Sequence, residues 1–227
     1  MNIKDLWEQG KKEEIAFWRG IISGADRRYH SNFLNRIRAE QPFTPWLIGL
    51  IRTSAPENSK ILDIAAGPVT QLGWEYRGKR LDITAIDVLA DEYNALLDEY
   101  GLKPPVRTGK GEAEQLAQIF PPNTFDLIHI RNALDHCYDP VKVVAGALAI
   151  LKPGAVFVVQ SNINEAKQEK YIGLHQWNVD AENGELIFWR PGDRIRLNER
   201  FSGAIEVELN VNRNDQFLKA LIRKTGR

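Results

Sequence analysis

Three carboxylates stand at the ends of successive apolar runs. They are Asp63 in KILDIA (60–65), Asp87 closing LDITAID (81–87), and Glu112 in GKGEAE, just after PPVRTG (104–109). An acid at a strand end can accept hydrogen bonds from both hydroxyls of a ribose, and a further one can accept from a base amino group. Asp63 is followed by Ile64, then Ala65, Ala66 and Gly67, whose small side chains let the backbone approach a ligand closely. A dinucleotide pyrophosphate would call for G-x-G-x-x-G, and this turn has one glycine where that pattern needs three. Asp63 also brings negative charge to the turn. An adenosyl group carrying a sulfonium and an ammonium therefore suits these residues better than a phosphate does. The alternative for Glu112 and Glu114 is helix N-terminal charge, stabilising through the dipole.

A group that takes a proton near neutral pH is most simply a histidine, and the chain has four: His30, His129, His136 and His175. His129 lies inside a strand and His30 in no motif. His136 follows the fourth strand by about one helical turn; Asp135 adjoins it, but consecutive helical residues point apart. His175 lies in GLHQWN (173–178), where Gln176, Trp177 and Asn178 offer amide and aromatic groups suited to a hydroxylated acceptor. His136 and His175 are thus the candidate bases. Alternatively, Leu174 and Trp177 anchor the loop and His175 is merely exposed. Trp18, Trp177, Phe188 and Trp189 would make an aromatic wall if they met, or else pack a lid on a core. No His, Asp and Glu grouping has ligand spacing, so no metal is expected.

The elements that must position these groups begin at Lys60. Short apolar runs alternate with amphipathic stretches, the rhythm of a parallel sheet wound by helices. Strands are expected at 60–65, 81–87, 104–109, 124–130 and 155–160, with helices at 90–100, 112–119 and 140–151 between them. After Ser161 the rhythm breaks. A hairpin is expected from ELIFWR (185–190) and RIRL (194–197), and AIEVELNV (204–211) with FLKALIRK (217–224) should pair antiparallel across a short gap. The fold class is α/β: a doubly wound, mostly parallel seven-stranded sheet with an antiparallel C-terminal hairpin, plus an N-terminal helical layer. Residues 1–57 make that helical cap, with stretches at Lys11–Ser23, Ser31–Ala39 and Pro45–Arg52. It is either a packing layer or a lid. Residues 58–227 form the main domain, with a lid-like insertion at about 161–200.

The 227 residues, 43% of them apolar, suffice for one globular core. Thirty basic residues balance thirty acidic ones, with no strongly basic region of the kind nucleic acids or anionic membranes select. The single Cys137 excludes an intramolecular disulfide and a Cys-based zinc site. No apolar run approaches a bilayer span, and no secretory h-region opens the sequence, so a soluble, cytoplasmic protein is expected.

From about Lys60 onward the chain resembles class I S-adenosylmethionine-dependent methyltransferases. ILDIAAGP resembles their first motif, Asp87 their ribose carboxylate, and GEAEQL their adenine-contacting loop; FDLIHIRNALDHCYDP and LKPGAVFVV match the fourth and fifth strands. The first motif departs from D-x-G-x-G-x-G, with Ala65 for its first glycine and Val69 for its third. A valine does not adopt positive φ cheaply, so the turn must run differently. DVLADEYN, RNALDHCYDP and GLHQWN look like a type 11/12-like bacterial branch. The resemblance implies S-adenosylmethionine as cofactor, held by Asp63, Ala65, Ala66, Gly67, Asp87, Val88, Glu112, Ala113, Arg131 and Asn132. It also implies in-line methyl transfer; the residues themselves offer His136 or His175 as base and Trp18, Gln176, Trp177 and Asn178 toward the acceptor. The expected acceptor is an oxygen of a small or saccharide-like molecule, with N- or C-methylation or a silent nucleoside-binding module as alternatives. A nicotinamide-dependent oxidoreductase would need the missing glycines and a sixth parallel strand. No nucleic-acid or membrane partner is expected, and a homodimer is compatible with the fold.

Overall fold

The computed structural model describes residues 3–38 and 40–225. Three helices come first: α1 (Ile3–Ser23), α2 (Arg27–Asn35) and the single turn α3 (Pro45–Ile48). β1 (Lys60–Ile64) is followed by a small hairpin, β2 (Glu75–Tyr76) and β3 (Lys79–Arg80), then β4 (Asp82–Asp87), α4 (Ala90–Glu99) and a short β5 (Gly109–Lys110). Next come α5 (Leu116–Ile119), β6 (Phe125–Arg131), α6 (Pro140–Ile150) and β7 (Leu151–Asn162). The last third holds α7 (Glu165–Gln168), β8 (Asn178–Glu182), β9 (Glu185–Arg190), β10 (Asp193–Arg196), α8 (Leu197–Arg200), β11 (Ile205–Asn212) and β12 (Phe217–Lys224).

Seven strands form one sheet in the order β11-β12-β7-β6-β1-β4-β5. The five from β7 to β5 are parallel, and β12 runs antiparallel to both β7 and β11. The doubly wound sheet with its antiparallel C-terminal pair is therefore present. Its central strands are buried on both faces, as parallel strands under two helical layers must be. Leu62, Ile64, Ile128 and Ile130 pack with Val144 and Leu148 of α6, while Ile61 and Leu127 pack with Phe43 and Leu47 on the opposite face.

Several boundaries differ from the sequence expectation. α1 starts at Ile3 rather than Lys11. α2 starts at Arg27 rather than Ser31 because Asp26 caps it, its carboxylate accepting from the Arg28 N–H. The expected end of that helix, Ala39, lies outside the described residues. The third helical stretch closes at Ile48 instead of Arg52. The third strand shrinks from 104–109 to Gly109–Lys110, since Pro104 and Pro105 bring no N–H to a ladder. The expected helix over 112–119 divides into a 3-10 turn, Ala113–Gln115, and α5. β9 and β10 form the expected hairpin, but β8 adds a third strand from the polar segment NVDAE, which carries little strand signal.

The turn after β1 resolves the two substitutions in the first motif. Positive φ falls on Ala65 (50°) and Gly67 (66°), not on Val69. Val69 is buried instead among Ile21, Ile22 and Phe33 of the N-terminal helices and Leu96 and Leu97 of α4. The valine joins the helical layer to the sheet, while the strain rests on Ala65. Ala65→Gly should relieve about 1 kcal/mol of it and raise the melting temperature by roughly 2–4 °C, readable in a thermal scan.

Candidate functional site

A cavity of about 770 Å³ lies at the carboxyl ends of β1, β4 and β6 and is closed over by α1, α2 and the segment after β7. Its size falls within the ~300–1,000 Å³ of small-molecule sites. The covering segments meet at Gly10, where an added Cβ would lie 2.5 Å from the Gly173 carbonyl carbon. Backbone packs directly on backbone there.

Asp87 closes β4 and is buried. Its Oδ2 accepts from the Gly67 N–H at 3.0 Å and its Oδ1 from the Leu89 N–H at 2.9 Å, so one carboxylate ties two strand ends together. Burial pushes its pKa up to about 6, against the downward pull of those two N–H groups. A Cβ on Gly67 would lie 3.0 Å from Trp18 Cζ2. The Trp18 indole overhangs the turn, its Nε1 donating to Glu14 Oε1 at 2.8 Å.

Of the residues singled out in the sequence, Ala65, Ala66, Gly67, Asp87 and Val88 line the cavity at the first two strand ends. Ala113, Arg131 and Asn132 line it beyond β5 and β6, and Trp18, His136 and His175 share the remaining wall. Five others are turned elsewhere. Asp63 is only 3% exposed, its oxygens taken by the Thr70 hydroxyl (2.6 Å) and His129 Nδ1 (2.7 Å). Glu112 accepts from the Tyr138 hydroxyl. Gln176 Nε2 donates to the Gly173 carbonyl at 2.8 Å, and Trp177 Nε1 to that of Tyr138 at 3.3 Å. Asn178 is buried, its Oδ1 accepting from the Lys167 N–H at 2.8 Å. These three lead into β8, so their polar groups brace the insertion. The aromatic wall does not form: Trp177 and Phe188 are core residues, and Trp189 Nε1 donates to Asn164 Oδ1 at 2.7 Å.

The histidines do meet. Residues 132–139 form turns rather than a helix, which brings Asp135 and His136 to the same point. Asp135 Oδ2 lies 2.7 Å from His175 Nδ1 and 3.5 Å from His136 Nε2, and the two imidazoles contact edge to face with centroids 4.5 Å apart. The Asp135 carbonyl accepts from the Gln176 and Trp177 N–H groups at 2.9 and 3.2 Å, pinning the loop that carries His175. Burial alone would lower the His175 pKa; the Asp135 hydrogen bond and charge, with Glu165 and Glu169, outweigh it and the net shift is upward. Burial would raise Asp135, but the charges of His136 and His175 hold it below the usual carboxylate range. With the Nδ1 proton donated to Asp135, Nε2 is the nitrogen free to take another.

Ligand-type atoms of Asp135, His136 and His175 all lie within 4.8 Å of one another, a grouping the spacing 135-136-175 conceals. The 2.7 Å separation of Asp135 and His175 is a hydrogen-bond distance. Glu114, weighed beside Glu112 in the sequence but not chosen as the cofactor residue, takes the wall position expected of Glu112, and burial pushes its pKa up to about 7. The turn Ala113–Gln115 presents Glu114 inward, a choice between neighbouring acids that their types do not reveal. Arg36, just past α2, lines the cavity without belonging to any motif.

Residues 62–159 match the methyltransferase domain family of type 11. No curated protein matches the chain. Among solved structures, a Haloferax volcanii methyltransferase in complex with the Trm112 methyltransferase activator is similar at 14% identity and a TM-score of 0.55, over 95% of this chain and 97% of that one. The PH0226 protein of Pyrococcus horikoshii OT3 is similar at 15% identity and a TM-score of 0.50, covering 88% and 92%. The trans-methyltransferase CalH, solved with SAH, is similar at 16% identity and a TM-score of 0.52, covering 79% and 55%. At such identities the structural likenesses establish the fold, and no helix among the described residues is long and apolar enough to cross a membrane. Residues 62–159 are thus a methyltransferase domain of the type 11 family, and the seven-stranded sheet with a cavity at its strand ends is the fold of class I S-adenosylmethionine-dependent methyltransferases.

Proposed function

We propose that this methyltransferase acts on an oxygen of a small, saccharide-like hydroxylated acceptor, with His175 as the base. The observation that carries this reading is the 2.7 Å Asp135–His175 hydrogen bond in the wall of the cavity that Asp87 and Gly67 also line. An acceptor hydroxyl must lose its proton as it attacks, and a base near the operating pH serves that step. His175 takes the proton at Nε2, and Asp135 stabilises the resulting imidazolium while holding the ring by Nδ1.

The residues present fit the cofactor. Asp87 accepts from the ribose hydroxyls, and Gly67, beside it in the cavity wall, brings backbone without a side chain to the nucleoside. Glu114 and Ala113 border the base end. S-adenosylmethionine supplies, when bound, a methyl group on a sulfonium. The chain's own contribution is alignment, exclusion of water by α1 and the 173–175 loop, and removal of the acceptor proton.

The acceptor class is tested by following release of S-adenosylhomocysteine across matched panels of alcohols, phenols, sugars and amines. Hydroxyl acceptors should dominate; dominance of amines would overturn the oxygen reading without touching the fold. The cofactor role of Asp87 is tested by pH. Its carboxylate form accepts the ribose hydrogen bonds, and the protonated form accepts them more weakly. S-adenosylhomocysteine affinity should therefore rise as pH climbs through about 6 and level off above it. Asp87→Asn should abolish that rise and weaken binding about 10- to 100-fold, measured by calorimetry.

A further inference from the structure

The cavity changes character between its inner wall and its mouth. Inside, Asp87, Asn132 and His175 are polar groups of the kind that fix a ligand's orientation. α1 turns one face toward this space. Gly10, Glu13, Glu14, Phe17, Trp18 and Ile21 all line it, at the three- and four-residue spacing that shares one side of a helix. Aromatic rings run outward along that face. Trp18 meets the buried Phe33 and Tyr93 at centroid distances of 6.3 and 6.2 Å, and meets Phe17 edge-on at 5.6 Å. Phe17 in turn meets Tyr29 of α2 at 6.2 Å. The outer rings are open to solvent, Phe17 by 43% and Tyr29 by 49%, and Ile172 in the chain after β7 by 59%. Each segment that closes the cavity thus places one bare apolar side chain on its lining. Singly exposed apolar residues are ordinary, whereas a cluster of them marks a binding surface. Of the seven exposed large apolar side chains among the described residues, these three line the cavity, so the patch belongs to the site. Arg28 is held by Asp26 at 2.7 Å and lies over the Tyr29 ring, which leaves aromatic surface rather than an idle charge at the rim.

We infer that the acceptor is amphiphilic: its reacting group reaches His175, and an alkyl or aryl tail lies across Phe17, Tyr29 and Ile172 at the cavity mouth. The inference rests on the reading of this cavity as the methyl-transfer site. The tail belongs to the acceptor because the rim is continuous with the wall that carries the reactive groups. A second copy or a bilayer would need an outward-facing patch, and these side chains line a hollow. Calorimetry on the S-adenosylhomocysteine-saturated protein compares compounds that share a head group and differ in tail: methyl and hexyl β-glucoside, 4-methylphenol and 4-hexylphenol, methylamine and hexylamine. With the head group the site accepts, the hexyl compound should bind about 10- to 100-fold more tightly, one molecule per chain. Phe17→Ser and Ile172→Ser should each erase most of that gain while S-adenosylhomocysteine affinity stays close to wild type. Should Phe17→Ser melt early, because its ring touches Trp18, the more exposed Ile172→Ser decides alone. No gain from the hexyl tail with any head overturns the inference, and so does a gain that the variants keep. Loss of a wild-type dimer, or of binding to phosphatidylcholine vesicles, in both variants would hand the rim to a second copy or a lipid surface and also overturn it. Methyl transfer to hexylamine, and to neither hydroxyl compound, would overturn the oxygen reading and leave the tail seat standing. A wild type that does not bind S-adenosylhomocysteine overturns the methyl-transfer reading itself.

Discussion

Replacing His175 with alanine is expected to slow methyl transfer to a hydroxyl acceptor by about 10²–10⁴-fold, with S-adenosylhomocysteine affinity left close to wild type. The effect is large because the imidazole is held in place from two sides. Asp135 accepts its Nδ1 proton at 2.7 Å, and His136 packs edge-on against it. The sign of the pH dependence follows from the upward shift of His175. The neutral ring is the base, so the single-turnover rate rises with pH through a midpoint shifted upward from the ordinary histidine value. Asp135→Asn removes the charge that favours the imidazolium. Its profile should move to lower pH while its plateau rate falls, since the cation formed in transfer loses its stabiliser. A chelator should leave the wild-type rate unchanged if the Asp135–His175 contact is a proton bridge. Wild-type turnover of the same hydroxyl acceptor by His175→Ala would remove His175 from the chemistry.

Asp63→Ala is expected to destabilise the fold by about 3–5 kcal/mol, a drop in melting temperature of roughly 10 °C or more for a chain of this size. The carboxylate is buried between the Thr70 hydroxyl and His129, whose other ring nitrogen lies 3.0 Å from Gln160 Oε1. Alanine leaves three buried polar groups in a network with its centre missing. Asp63→Asn keeps the shape and one acceptor oxygen and should lose less. Urea denaturation gives the loss, and calorimetry on the folded fraction gives the cofactor affinity. An unchanged melting temperature with a hundredfold loss of S-adenosylhomocysteine affinity would mean that Asp63 works on the cofactor rather than on the turn.

The contrast between Asp63 and Asp87 shows what the sequence could and could not disclose. Both acids close apolar strands, and the strand ends were legible because a period of apolar runs places them there. Which acid faces the ligand depends on pleat and register. Asp63 sits beside His129 because β1 and β6 pair with those residues opposite each other, a long-range match that no local pattern encodes. The same holds for Glu112 and Glu114, two residues apart on a turn whose helical type decides which one points inward. Gln176, Trp177 and Asn178 offered suitable chemistry, yet the polar segment after them folds as β8 and draws them into the scaffold. The sheet itself was more readable than its site. Alternation and turn residues are local, while Asp135 meeting His175 requires the insertion to fold back across the sheet.

The contact at Gly10 bears on the order in which the molecule comes together. α1 precedes the strands of the sheet in the chain, yet the loop it docks against, at Gly173, follows β7. Until that loop exists, the aromatic residues of α1 have the growing sheet but no closing wall. Contacts so far apart in sequence form late, because chain closure is costly. The cofactor chamber is accordingly a late product of folding, sealed only after the sheet that forms its floor.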